Sequence, residues 1–329
     1  MKIKKPVIIV LGEPNSIFIE ILSKFLKKIV LKKKLKYPII IIGSKKLINS
    51  QLKVLKINLD IDLVNHKSFN FSNLKNKIYL IDIKYNFKKP FEPISKKSKQ
   101  YISRCFETAL FYMNSGLCKI MVNGPISKKH FLNKKYAGIT EYIFHKSKKN
   151  LSKYPTMIIF NKKFSVSPIT THVPIKSVHK RINQEIIINN IININNFYKS
   201  KLNIHPKIAV AGLNPHCETK SKINEENLFI KPALQKLKKK NIKVFGPFSA
   251  DTFFLKKNIL NYDCLVGMYH DQVLTPFKAI FGFDASNITL GIPFIRLSVD
   301  HGPNEHMIGK NKSSTESLEN IFNLINSIK

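Results

Sequence analysis

The chain has no tryptophan and only four cysteines in 329 residues. Cys105, Cys118, Cys217 and Cys264 form no CxxC pair and follow no regular spacing, which excludes a disulfide framework in a chain this long. Buried reduced thiols are expected instead. No apolar run approaches the roughly 20 residues that a membrane span requires. The basic start, Met1-Lys2-Ile3-Lys4-Lys5, leads into an apolar stretch, Pro6 to Leu11, that is too short for a secretory signal and has no small-residue cleavage site. It reads as a first buried strand, and a soluble cytoplasmic protein is expected. No GxGxxG follows that strand. Gly12-Glu13-Pro14-Asn15-Ser16-Ile17-Phe18 lacks the glycines of a pyrophosphate turn, so a Rossmann site and a P-loop are both excluded.

Acidic residues are scarce as well: 20 against 56 lysines and arginines, for a formal charge of +36. Such an excess attracts polyanions without specificity. However, the lysines are scattered along the chain, there is no arginine cluster, and no nucleic-acid motif is recognisable. Lysine rises together with isoleucine and asparagine, as in Ile186 to Asn196, which an AT-rich coding sequence would produce. Neither a specific nucleic-acid partner nor a membrane is expected.

What is present is a 43% apolar chain, enough for one large core or two modest ones. Its length predicts roughly two domains. Short apolar runs alternate with longer mixed segments, the rhythm of an α/β protein. Strands are predicted at Val7 to Leu11, Pro38 to Ile42, Ile78 to Ile83, Lys119 to Val122, Thr156 to Phe160, Lys207 to Ala211 and Cys264 to Met268. Helices are predicted at Ile17 to Val30, Lys97 to Ser115, Ile175 to Phe197, Asn224 to Lys239 and Ser314 to Ile328. No repeat or low-complexity linker marks a boundary. The expected division is a discontinuous first domain, residues 1–124 and 251–329, around a second, residues 125–250.

Gly, Pro, His and Asp concentrate where apolar runs end, and α/β proteins bind ligands at the carboxyl ends of strands. His172, His216 and His270 each follow an apolar run by a few residues, so three imidazoles could converge as metal ligands. Each could equally be a loop histidine bonded to a backbone carbonyl. Asp251 and Asp271 could orient such ligands or accept a proton, or could simply cap turns. Lys278, Asn287 and Arg296 combine charge with directed donors, as a phosphate pocket needs. Arg296 is the most telling of them, because a charged group among apolar neighbours requires a partner.

Taken together, these segments resemble the 4-hydroxythreonine-4-phosphate dehydrogenase family. The matching stretches are Asn123-Gly124-Pro125-Ile126-Ser127-Lys128, Thr170-Thr171-His172-Val173-Pro174, Ala211 to His216, Gly246-Pro247 through Asp251-Thr252, Tyr269-His270-Asp271-Gln272, and Asn287 through Gly302. The resemblance implies a two-domain α/β fold of the isocitrate/isopropylmalate-dehydrogenase kind, with the active site in the interdomain cleft at a homodimer interface. It implies NAD or NADP as cofactor and one divalent metal (Zn²⁺, Mg²⁺ or Co²⁺) on His172, His216 and His270, shared between subunits. It also implies substrate binding by Thr140, Lys278, Asn287 and Arg296, and Asp251, Asp271 and Lys278 are the candidates for catalytic groups. The chain departs from the family pattern at Ile139, where a substrate-contacting histidine is usual, and in the loop carrying Asn15, Ser16 and Phe18. After His216, Cys217-Glu218 stands in place of Ala-Gly-Glu. Two other readings compete: a dehydrogenase of a phosphorylated sugar acid such as threonate 4-phosphate, and a basic nucleic-acid-binding protein.

Overall fold

The structure is a computed structural model, and it describes residues 5–66, 71, 74–132, 136, 138–219, 223–282 and 284–328. Its strands are β1 (Val7–Val10), β2 (Ile39–Gly43), β3 (Asp62–Val64), β4 (Ile78–Asp82), β5 (Ile120–Asn123), β6 (Thr156–Phe160), β7 (Ser165–Thr170), β8 (Ile208–Ala211), β9 (Val244–Phe248), β10 (Cys264–Tyr269), β11 (Ser286–Leu290) and β12 (Ile295–Ser298). The helices are α1 (Phe18–Leu31), α2 (Lys45–Leu55), α3 (Ser98–Asn114), α4 (Lys128–Phe131), α5 (Ile139–Lys146), α6 (Val178–Arg181), α7 (Gln184–Phe197), α8 (Lys231–Lys239), α9 (Ala250–Phe253), α10 (Lys256–Ile259), α11 (His270–Phe281) and α12 (Glu316–Ser327). No helix among the described residues is long and apolar enough to cross a membrane.

The chain forms two compact units, Met1–Lys149 with Pro293–Phe322, and Asn150–Ile292 with Asn323–Lys329. In the first unit the strand order is β3-β4-β2-β1-β5-β12, and every pairing is parallel. A parallel strand covered on both faces needs apolar residues at successive positions rather than alternate ones. Val7–Val10 and Ile39–Gly43 meet that need and are buried throughout. In the second unit the order is β11-β6-β7-β10-β8-β9. Here β6 pairs antiparallel with β11 and β7, while β7, β10, β8 and β9 run parallel to one another.

The units divide the chain differently from the expected boundaries at 124/125 and 250/251. Residues 251–292 group with the second unit because β10 is hydrogen-bonded between β7 and β8, and β11 pairs with β6. Residues 125–149 group with the first unit. The single helix predicted from Ile175 to Phe197 is broken. Ile182 is extended, and the Asn183 side chain accepts the Ile186 N–H at 2.9 Å, starting α7 afresh. Asn224 to Lys239 begins with a wide turn, Glu226–Ile230, before α8, where Pro232 has no N–H to donate. All four cysteines are free thiols. Burial pushes Cys105 and Cys118 up to about 12, which leaves them protonated and inert.

Candidate active site

Because β7, β10, β8 and β9 are adjacent and parallel, their carboxyl ends share one edge of the second unit. Each end delivers one chemical group: His172 after β7, His270 after β10, His216 after β8 and Asp251 after β9. His270 is the first residue of α11 rather than part of a turn, and Asp251 lies in the first turn of α9.

The His172 and His270 ring centroids are 6.0 Å apart. His270 Nδ1 lies 2.6 Å from Asp271 Oδ1, an arrangement in which the ring donates to the carboxylate and turns the Nε2 lone pair outward. His216 Nδ1 is 3.4 Å from Ser249 Oγ and 4.0 Å from Asp251 Oδ2. The Ser249 hydroxyl donates to Asp251 Oδ1 at 2.6 Å and holds that carboxyl below its ordinary range. Among the described residues, no three His, Cys, Asp or Glu side chains gather closely enough to hold a metal ion. One chain therefore presents a His172/His270 pair, and a His216 accompanied by Asp251. The donor set fits a divalent metal: these are imidazoles at an open strand edge, and two of them have carboxylates near Nδ1. Nitrogen ligands suit Zn²⁺ or Co²⁺, whereas Mg²⁺ takes oxygen.

Lys278 is half-buried in the last turn of α11, and Asn287 lies on β11. Asn287 Nδ2 sits 3.8 Å from Met157 Sδ, and its Oδ1 is buried with no partner among the described residues. Thr140 and Arg296 belong to the first unit, and there they meet. Arg296 Nη1 donates to Thr140 Oγ1 at 3.4 Å, while Nε donates to Asn123 Oδ1 at 2.7 Å. Burial lowers the Arg296 guanidinium to about 10, with Glu141 acting the other way, so it stays charged at neutral pH. Ile139 opens α5, half-buried beside Thr140.

Sequence reasoning left several groups without a role. Asn123 and Gln272 were visible only as parts of matched motifs, and nothing marked Glu226. Glu226 is fully buried. Burial alone would raise its carboxyl, but the Asn214 and Leu213 amides aimed at it outweigh that and hold it low.

Glu13 is the fourth such group. It follows β1 in the first unit and receives the Ser98 hydroxyl at 3.0 Å and the Asn15 N–H at 3.3 Å. Ser16 donates back to the Glu13 carbonyl at 2.8 Å, and Asn15 Oδ1 accepts the Glu92 N–H at 3.1 Å. The substituted residues of this loop thus supply its internal bonds. Burial, with Glu305 adding to it, raises the Glu13 carboxyl from 4.5 to about 7. The native state then holds this proton more tightly than the unfolded chain does. The resulting stability is complete below about pH 4.5 and is lost as pH rises through about 7. Glu13→Gln is expected to flatten that decline and to stabilise the protein by roughly 2 kcal/mol at pH 8. Urea midpoints at pH 5 and pH 8 test this; a decline as steep as in the parent would refute it.

Comparison with known proteins points in one direction. The profile of the family described as "Pyridoxal phosphate biosynthetic protein PdxA" matches residues 34–325. A 4-hydroxythreonine-4-phosphate dehydrogenase of Sulfurihydrogenibium sp. (strain YO3AOP1) is 37% identical over 319 residues, covering 94% of this chain and 95% of its own length. A D-threonate 4-phosphate dehydrogenase of Pectobacterium atrosepticum is 32% identical over 65% of this chain and 66% of its own. Among solved structures, a 4-hydroxythreonine-4-phosphate dehydrogenase from Klebsiella pneumoniae superposes with a TM-score of 0.81 at 27% identity, covering 98% of this chain and 99% of that one.

Proposed function

The chain belongs to the PdxA family of pyridoxal phosphate biosynthetic proteins, and from that premise we propose that it oxidises 4-phosphohydroxy-L-threonine to 2-amino-3-oxo-4-phosphohydroxybutanoate, with NAD or NADP as acceptor. The observation that carries this reading is the delivery of His172, His270 and His216 by three adjacent parallel strands to one edge. We assign the enzyme to the cytoplasm.

A divalent ion on His172, His216 and His270, with Zn²⁺ or Co²⁺ favoured, would supply Lewis acidity at the substrate's C3 hydroxyl. A bound nicotinamide would supply the hydride acceptor. The chain's own groups do the rest. Asp271 fixes the tautomer and orientation of His270. Asp251, whose carboxylate accepts the Ser249 hydroxyl, can take the hydroxyl proton as the C3 hydride leaves. Lys278 and Asn287 of the second unit are assigned to the phosphate; in the first unit, Arg296 and the Thr140 it bonds are assigned as substrate contacts. The Asn287 Oδ1, which has no partner among the described residues, is an acceptor suited to a substrate hydroxyl or ammonium. The product is a β-keto acid, which loses carbon dioxide to give 3-amino-2-oxopropyl phosphate. The ligand set of His172, His216 and His270 is assigned to a homodimer that shares the metal between its subunits, as in the family this chain resembles.

The test mixes purified protein with NAD, Zn²⁺ or Co²⁺ and 4-phosphohydroxy-L-threonine and follows reduced-cofactor absorbance. Turnover removed by a chelator and restored by metal is expected. The Pectobacterium relative favours a second reading, which turnover with threonate 4-phosphate alone would establish. Salt-sensitive DNA binding without turnover would replace both.

Ile139 stands where a substrate-contacting histidine is usual, and an isoleucine cannot donate a hydrogen bond. A charge-assisted bond contributes about 1.5–3 kcal/mol, so Ile139→His is expected to raise kcat/KM on the order of ten- to a hundredfold. No gain in steady-state kinetics would show that the position no longer faces substrate.

A further inference from the structure

We infer that Glu226 and Gln272 are positioning residues for His216, acting as a two-point clamp on the loop that presents it. The inference rests on the reading of His216 as a metal ligand. His216 and the following Cys217 both have left-handed backbones, with φ of 53° and 60°. Residues with a β-carbon avoid that region, and two in succession persist only where their surroundings hold them.

The structure supplies the hold. Glu226, with no exposed surface, accepts the Leu213 N–H at 2.7 Å and the Asn214 N–H at 2.9 Å on a single oxygen, Oε1. Its Oε2 accepts from Asn214 Nδ2 at 2.9 Å. A β-carbon on Gly212 would lie 2.7 Å from Cys217 Sγ and 3.0 Å from Glu226 Oε1, so the loop closes tightly around the carboxylate. The second point is Gln272. Its Nε2 donates to the Gly212 carbonyl at 2.7 Å, and its Oε1 accepts the Met268 N–H at 2.7 Å. Gln272 lies on the first turn of α11, which His270 opens. The turn that opens with His270 therefore also ties down the loop carrying His216.

The experiment titrates metal-free protein with Co²⁺, reading affinity and the visible spectrum, and measures amide exchange at Leu213 and Asn214. Glu226→Ala is expected to weaken Co²⁺ ten- to a hundredfold, to alter the spectrum, and to speed exchange at both amides. Glu226→Gln keeps an acceptor for those two N–H groups and is expected to recover most of the affinity. Gln272→Leu, which keeps the helix, is expected to weaken Co²⁺ about tenfold and carries the test should Glu226→Ala not fold. Parent-like affinity in the folded clamp variants, alongside a loss in His216→Ala, overturns the clamp and leaves the metal reading standing. Parent-like affinity in His216→Ala overturns the ligand assignment, and the clamp's purpose with it.

Discussion

His270→Ala is expected to lower kcat/KM for cofactor reduction on the order of a thousandfold, with a parallel loss of bound metal. Metal stabilisation of developing charge is worth several kcal/mol, and about 4 kcal/mol corresponds to three decades in rate. His270 should show the largest effect of the three histidines because β10 lies between β7 and β8 in the sheet. Its imidazole is the one in ring contact with His172, and its helix carries Gln272. Folding gives no competing explanation. His270 is half-exposed at the start of a helix, where alanine is well tolerated, so stability should change by less than about 0.5 kcal/mol. Asp271→Asn provides the graded control. It leaves the imidazole in place and weakens only its orientation, so a ten- to a hundredfold loss is expected. Kinetics and metal content per chain decide the matter. A His270→Ala protein that keeps a tenth of parental kcat/KM and its full metal content would refute the assignment.

How much of this was legible in the sequence depends on how local the cause is. β6 is found where it was expected, Thr156–Phe160, because five successive residues with an apolar majority have few alternatives between two turns. β7 was missed. Ser165, Ser167 and Pro168 break up the apolar run before His172, yet both serines are buried and satisfied, by the Asn161 and Met157 carbonyls. α11 was missed for a similar reason, since Pro276 sits inside it. The histidines could be placed at strand ends from sequence, because strand and turn are local. That β7, β10 and β8 are neighbours could not be read, because strand order is fixed by long-range pairing. The same limit hid the Glu226 carboxylate, which lies twelve residues beyond the Asn214 amide it accepts. It also hid the Asn123 contact that holds Arg296 from the next strand.

Phe164→Ala is expected to destabilise the second unit by about 3–5 kcal/mol, a large share of the roughly 5–15 kcal/mol that holds a typical domain folded. Phe164 is fully buried, with the rings of Phe253, Phe254 and Phe281 centred 6.2, 6.3 and 6.5 Å away. Phe253 belongs to α9 and Phe281 to α11, the helices that carry Asp251 and His270. A cavity at this point therefore lies beneath two elements of the site at once. Part of its cost is the lost transfer of the ring from water, and part is the void that close-packed neighbours cannot fill. Phe164→Leu, which keeps most of the volume, should cost no more than about 1.5 kcal/mol. A chain of two units need not unfold in one step, so the measurement should follow hydrogen exchange of the β7 and β10 amides in urea rather than a global signal. Those amides should lose protection at lower urea in Phe164→Ala, and Co²⁺ affinity should fall with them as α9 and α11 loosen. A loss below 1 kcal/mol would mean that the aromatic cluster does not hold these helices. Normal stability with weakened Co²⁺ would place Phe164's influence on the site somewhere other than this core.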